Sequence, residues 1–402
     1  MKLWQTADSM DARIEAFTIG NDPVLDQELI PFDCMATIAH VTMLQEIGIL
    51  DADETGKLIA ALNDIINLHS SGQFRIQPNQ EDGHSAIEEF LTGRLGSAGK
   101  KVHTGRSRND QVLTAIRLFE KFAIEELIQL AKKMADSLQK FALANAGIPL
   151  PGYTHTRKAM PFTVKDWAMS FHDALLDDVK LLECTFELID QNPLGTGAGY
   201  GVPLPLNRQT TTDLMGFSRI MENPMYAQNS RGKFESRILN DCLMILYDLN
   251  KWASDLIFFT IPDLGYFNLD PTMVTGSSIM PHKKNPDVLE LIRASYHQVA
   301  GYEYQLKMIP ANLISGYHRD LQYTKEPLMK GLKTCRDVLE ASLVLLSGLS
   351  VNSDNLHSAM TAELLSVQKV MELVNSGMPF RDAYRQISQI YKPDKPAADS
   401  EK

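Results

Sequence analysis

The chain has 402 residues, roughly two to three times a typical domain, so it can support more than one core. With 44% hydrophobic residues, 22% charged and a net charge of −11 from interspersed acids and bases, it is expected to use neither nucleic acid nor an anionic membrane as a bulk partner. No run approaches the roughly 18 uncharged apolar residues of a membrane span, and the opening MKLWQTADSMDARIEAF has no apolar signal core. Cys34, Cys184, Cys242 and Cys335 are scattered, which is neither a disulfide framework nor a metal spacing and fits a reducing cytoplasm.

In chain order, an N-terminal helical region occupies 1–104 and holds the polar stretch EDGHSAIEE, and the loop KVHTGRSRNDQV, residues 101–112, leads from it into the central domain. Glycine and proline are then absent from 111–146, from 162–191 and from 233–261. Leu239, Leu243, Leu246, Leu249, Ala253 and Leu256 recur at steps of three and four, so these gaps predict long helices of roughly 40–50 Å. Two more are expected over 287–309 and 329–346. Five such helices cannot each bury an apolar stripe alone and must pack as a bundle, which makes 105–354 the central domain. The runs FRIQP and IPLPGY read as connectors, not strands. A short C-terminal helical region, 355–402, ends in KPDKPAADSEK, whose proline, alanine and charge predict disorder.

Polar chemistry gathers in the loops between the long helices. TGSSIMPHKKNPD, residues 275–287, offers a glycine, two serines and two lysines ahead of the apolar run VLELI. Asn285 suits an N-cap and Pro286 the first helical position, so free N–H groups and two cations favour an anion there. PGYTHTRKAMP places His155 beside Thr154 and two cations, and HTGRSRNDQV holds Arg106, Arg108, Asn109 and Asp110 before a helix. No phosphate-cradle glycine spacing and no histidine pair at metal-ligand spacing is present, so no metal is implied. The residues alone predict an all-α protein that binds a small carboxylate.

Taken together, the loops resemble a known family. GSSIMPHKKNPDVLE is similar to the GSSxMPxKxNxxxxE signature of the fumarase/aspartase superfamily. HTGRSRNDQ, GYTH, GYHRDLQ…KEP and GMPFRDAY narrow the likeness to its argininosuccinate lyase branch, in the family's order, from about residue 3 to 385. The resemblance implies three mostly helical domains around a central long five-helix bundle. It implies a homotetramer with active sites shared between subunits, and no cofactor. It also implies reversible elimination of fumarate from argininosuccinate to give arginine, the last step of arginine biosynthesis.

By the same resemblance Ser277 is the general base, His155 helps to protonate the leaving nitrogen, and Glu290 orients it. Lys283 and Asn285 clamp the carboxylate on which negative charge develops. Arg108, Asn109 and Thr154 hold succinyl carboxylates, while Tyr317, Gln322 and Lys325 grip the arginine portion, with Asp26 carried over through its spacing to Asp33. Alternatives are another fumarate-releasing lyase of the superfamily, such as one acting on adenylosuccinate, or a catalytically weakened structural relative. Two departures stand out: Arg157 occupies the family's usual glutamine position, and the chain ends soon after PFRDAYRQI.

Overall fold

The computed structural model describes residues 11–77 and 80–391, so the tail expected to be disordered lies outside the described residues. Helices dominate, and the five long ones expected of the bundle are Arg108–Ala144, Val164–Ile189, Lys233–Phe259, Asp287–Met308 and Lys325–Ser347; a sixth, Asp22–Glu46, is as long as some of these and was not expected as one element. The last of the five begins at Lys325, ahead of the expected 329. Pro327 falls in its first turn, where a missing N–H breaks no intrahelical bond. The described chain divides into two compact units, and each of the five expected helices gives one part to each.

The first unit takes in 11–130, 178–245 and 295–337 as far as they are described. On the Ala52–Ser70 helix, Leu58, Leu62 and Ile65 follow steps of four and three, so one face is apolar. That face packs with Ile30 and Leu44 of the Asp22–Glu46 helix and with Leu91 of Gly83–Leu95. Each buried leucine or isoleucine contributes about 1.5–3 kcal/mol. The Ala52–Ser70 helix starts on a reciprocal cap: Glu54 N–H donates to Asp51 Oδ1 at 2.8 Å, and Asp51 N–H to Glu54 Oε2 at 3.2 Å. The short Ser97–Lys101 helix lies so close that a Cβ on Gly99 would stand 2.6 Å from the Leu91 backbone. On the Asp22–Glu46 helix, Asp22 and Asp26 lie one turn apart.

The second unit takes in 131–177, 246–294 and 338–391. Here IPLPGY is a strand and not a connector. Pro149–Thr154 pairs antiparallel with Arg157–Thr163, and a register shift between Pro151 and Tyr153 accommodates the prolines on this two-stranded ribbon. FRIQ, in the first unit, takes no strand, as expected. Aromatic packing supports the ribbon: the Tyr153 ring meets Phe258 edge-on at 5.1 Å, and Trp167 lies 5.6 Å from Phe171 and 5.1 Å from Phe267. Trp167 Nε1 donates to Asp255 at 3.0 Å. The helices Ser366–Asn375 and Phe380–Ile390 close a small cluster of Val370, Ala383 and Ile387.

Candidate active site

The candidate residues fall into two groups. Asp26, Arg108, Asn109, Tyr317, Gln322 and Lys325 converge on one cavity of about 140 Å³ in the first unit. Lys325 is buried with Nζ 2.6 Å from Asp26 and 2.7 Å from Asp22. Burial opposes its charge, but Asp26 and Asp22 overcome this and hold its pKa above the usual lysine value. Burial pushes Asp22 up, against the pull of Lys325. Asp26 also accepts from the Gly83 N–H at 3.1 Å, which ties the helix start at Gly83 to the cavity wall.

Arg108 is the first residue of its helix, which opens on a reciprocal cap. Asn109 N–H donates to Ser107 Oγ at 3.0 Å, and Ser107 N–H to Asp110 Oδ1 at 3.0 Å. Asp110 Oδ2 also accepts from the Gly195 and Gly197 N–H groups at 2.9 and 2.8 Å. Burial outweighs these donors and lifts Asp110 to about 6. The Arg108 guanidinium faces Glu81 at 3.0 Å and Asp82 at 3.2 Å. Gln322 donates its amide N–H groups to the carbonyls of Thr18 and Ile19 at 3.1 and 3.0 Å, so toward a ligand it offers its carbonyl oxygen.

Among the cavity residues not singled out from the sequence, His84 and Arg231 carry the buried cations. His84 is buried, with Nδ1 against Asp33 and Nε2 without a hydrogen-bond partner. Burial disfavours its charge, but Asp33 prevails and raises its pKa to about 9, so it stands as a cation. Arg231 is buried, with its guanidinium 5.4 Å from the Tyr317 ring centroid and Nε and Nη1 lacking acceptors. Burial moves it below the usual arginine range, which Tyr317, Glu235 and Asp22 only partly offset. The sequence signal was present at Ser230–Arg231–Gly232, a cation beside a glycine ahead of a long helix, like the arginines before Arg108–Ala144. The cavity therefore presents carboxylates and cations together, which suits a ligand carrying both signs of charge, such as an amino acid.

The other group stands in the second unit. The stretch TGSSIMPHKKNPD is a hairpin, in which Thr275 pairs with Asn285 and Gly276 with Lys284. Asn285 is thus held in the ladder, and Pro286, not Asn285, supplies the first carbonyl of the Asp287–Met308 helix, to Leu289 N–H at 2.9 Å. Thr275 Oγ1 donates to Asp287, which locks the hairpin to the helix start. Ser277 is half-buried, and its Oγ accepts from the Met280 N–H at 3.2 Å and the Ile279 N–H at 3.5 Å. Two backbone donors on one oxygen favour negative charge there. Lys283 and Glu290 are exposed on either side of the helix start.

Thr154 and His155 stand exposed at the tip of the Pro149–Thr163 ribbon. His155 and Thr156 both have positive φ, 52° and 56°, which costs about 1–3 kcal/mol for each such residue. Among the described residues, no side-chain hydrogen bond or ion pair joins His155 to Ser277 or to Glu290 within one chain.

A family model described as a lyase matches residues 6–301. The sequence is 46% identical to an argininosuccinate lyase of Thermotoga neapolitana over 98% of this chain and 99% of that one. This chain belongs to the argininosuccinate lyase family. Within that family it is also 41% identical to an argininosuccinate lyase of Parabacteroides distasonis, over 96% of this chain and 86% of the relative. In structure it superposes on an EDDS lyase crystallised with formate, with a TM-score of 0.81 at 22% identity, covering 96% of this chain and 76% of that chain. At that identity the likeness establishes the fold, which this chain shares with that enzyme.

Proposed function

We propose that this chain catalyses the reversible elimination of fumarate from argininosuccinate, leaving arginine. The observation that carries the reading is the cavity around Lys325: the residues carried over for the arginine portion converge there with paired charges, in a member of the matching family. In this reading, the arginine portion lies among Asp26, Tyr317, Gln322 and Lys325. Arg108, Asn109 and Thr154 meet succinyl carboxylates.

Ser277 as alkoxide takes the Cβ proton. Its electron pair passes first to the neighbouring carboxylate, where Lys283 and Asn285 offset the second negative charge, and then forms the C=C bond as the C–N bond breaks. The leaving nitrogen receives a proton from the side of His155, with Glu290 as its orienting acid. No step calls on a metal or organic cofactor.

We further propose that four copies assemble and that one site draws on several of them. Exposed apolar side chains on the long helices support this, among them Leu188, Tyr247, Leu291 and Tyr304, as does the lack, among the described residues, of any side-chain hydrogen bond or ion pair between His155 and Ser277 within one chain. Among the described residues no helix is long and apolar enough to cross a membrane, and the four cysteines are unpaired, which supports a reducing cytoplasm. The test is fumarate release from argininosuccinate, followed by ultraviolet absorbance on purified protein. Absence of fumarate with the protein folded and assembled would refute the reading. Light scattering tests the assembly, and a stable, active monomer would end that part.

A further inference from the structure

The ribbon that carries His155 closes on an unusual turn. Thr154 pairs with Arg157, so His155 and Thr156 are the two connecting residues, both left-handed. Two-residue hairpins of this kind favour Asn-Gly or Gly-Gly, because only glycine meets such backbone angles freely. This chain instead places a histidine first and a β-branched threonine second, and a β-branched residue there is a genuine outlier. Among the described residues, the other non-glycine with positive φ is Asn312, a type that tolerates it.

The turn is also held from both sides. Thr156 Oγ1 donates to the His155 carbonyl at 2.7 Å, tying the second turn residue back to the first. Below it, Tyr153 and Tyr266 share a hydroxyl hydrogen bond at 2.9 Å, and Lys158 Nζ donates to the Ala359 carbonyl at 2.8 Å. Anchored strands keep the strained turn from relaxing by fraying.

We propose that Thr156 is a positioning residue that fixes the direction in which His155 presents its ring. The proposal rests on reading His155 as a participant in protonating the leaving nitrogen. Glycine would satisfy the turn with less strain, but it populates φ of either sign about equally, so the turn would exchange conformers and swing the His155 Cα–Cβ bond. A proton donor must lie within about 3 Å of its target, and a misplacement of about 1 Å costs on the order of a hundredfold in rate. Strain at Thr156 is thus exchanged for a single ring direction.

The experiment compares Thr156→Gly and Thr156→Asn with wild type in the assembled protein, measuring Tm, and kcat and KM for argininosuccinate. Thr156→Gly should raise Tm while kcat falls at least about tenfold with KM little changed. Thr156→Asn accepts the left-handed region yet keeps a restricted backbone, so it should also raise Tm and retain most of the wild-type kcat. Opposed changes in stability and rate would not come from a merely structural residue. Wild-type kcat in Thr156→Gly, or a joint loss of kcat and Tm, overturns the proposal. Should the glycine variant fail to fold, a tenfold loss of kcat in a stable Thr156→Asn protein overturns it too. A wild type that releases no fumarate refutes the functional reading itself, which is a separate outcome.

Discussion

The buried pair of Asp33 and His84 makes stability depend on pH in a direction that can be worked out. Asp33 is buried and also accepts from Gln111 Nε2 at 2.9 Å and from the Thr37 hydroxyl at 3.2 Å. Burial would strip the proton from His84, but Asp33, with Asp82 and Asp26 beyond it, holds the pKa at about 9. In an unfolded chain a histidine titrates near 6.5. The folded value is therefore raised, so the stabilisation is fully present below about 6.5 and is lost as pH climbs through about 9. A difference of about 2.5 units corresponds to roughly 3 kcal/mol. Asp33 shifts the other way, with its pKa lowered chiefly by His84 against the effect of burial. Its contribution is lost only as pH falls through the acid range.

The test is His84→Gln, which keeps an amide at the site and removes the charge. At about 2.1 cal/mol/K per residue, the whole chain has a melting entropy near 0.8 kcal/mol/K, so roughly 3 kcal/mol shifts Tm by about 4 °C. Melting followed by circular dichroism, at one protomer concentration, should place the variant about 4 °C below wild type at pH 6.5. By pH 10 the gap should close to about 1 °C, because the wild-type imidazole is then neutral as well. Other titrating groups act on both proteins and cancel in the difference. A gap that stays constant between about pH 6.5 and 10 would refute the reasoning, since a loss of packing alone has no reason to titrate.

Replacing the proposed base, Ser277→Ala, should lower kcat by about two to four decades while leaving assembly and substrate binding in place, with steady-state kinetics and light scattering as the measurements. Ser278→Ala should be milder, because the N–H groups of Ile279 and Met280 point at Ser277 Oγ; the reverse ranking would name the wrong serine. Arg157→Gln removes an exposed cation two residues from His155, at the end of the same turn. It should raise kcat about fivefold, roughly 1 kcal/mol of barrier, and an unchanged or lower kcat would count against it.

What was legible in the sequence follows from how far each feature reaches along the chain. The long helices showed themselves because a 3.6-residue apolar period needs only neighbours within a few turns. Local rules also produced the errors. The last long helix was expected only from 329, beyond Pro327, and IPLPGY as a connector, yet Pro327 falls in a first helical turn and the other prolines sit on a two-stranded ribbon where their missing N–H groups are tolerated. The hairpin around Ser277 was missed for the same reason: its glycine, serines and prolines mark a turn but do not say that Thr275 and Asn285 will pair across it.

The cavity depends on longer reach still. The motifs supplied the cations and amides, because those sit in signature loops. They gave no hint that Lys325 would be buried against Asp22 and Asp26, or that Arg108 would face Glu81 and Asp82. A charged group in a closed site needs a counter-charge to stay charged, so the acids are as much part of this cavity as the residues expected to touch a ligand. His84 makes the point most directly. In the stretch EDGHSAIEE it is one polar residue among several at a helix start, and only when Asp33 arrives from the Asp22–Glu46 helix does it become a fixed cation facing the ligand space. A histidine's charge state is a property of its neighbours in space, and no local pattern encodes it.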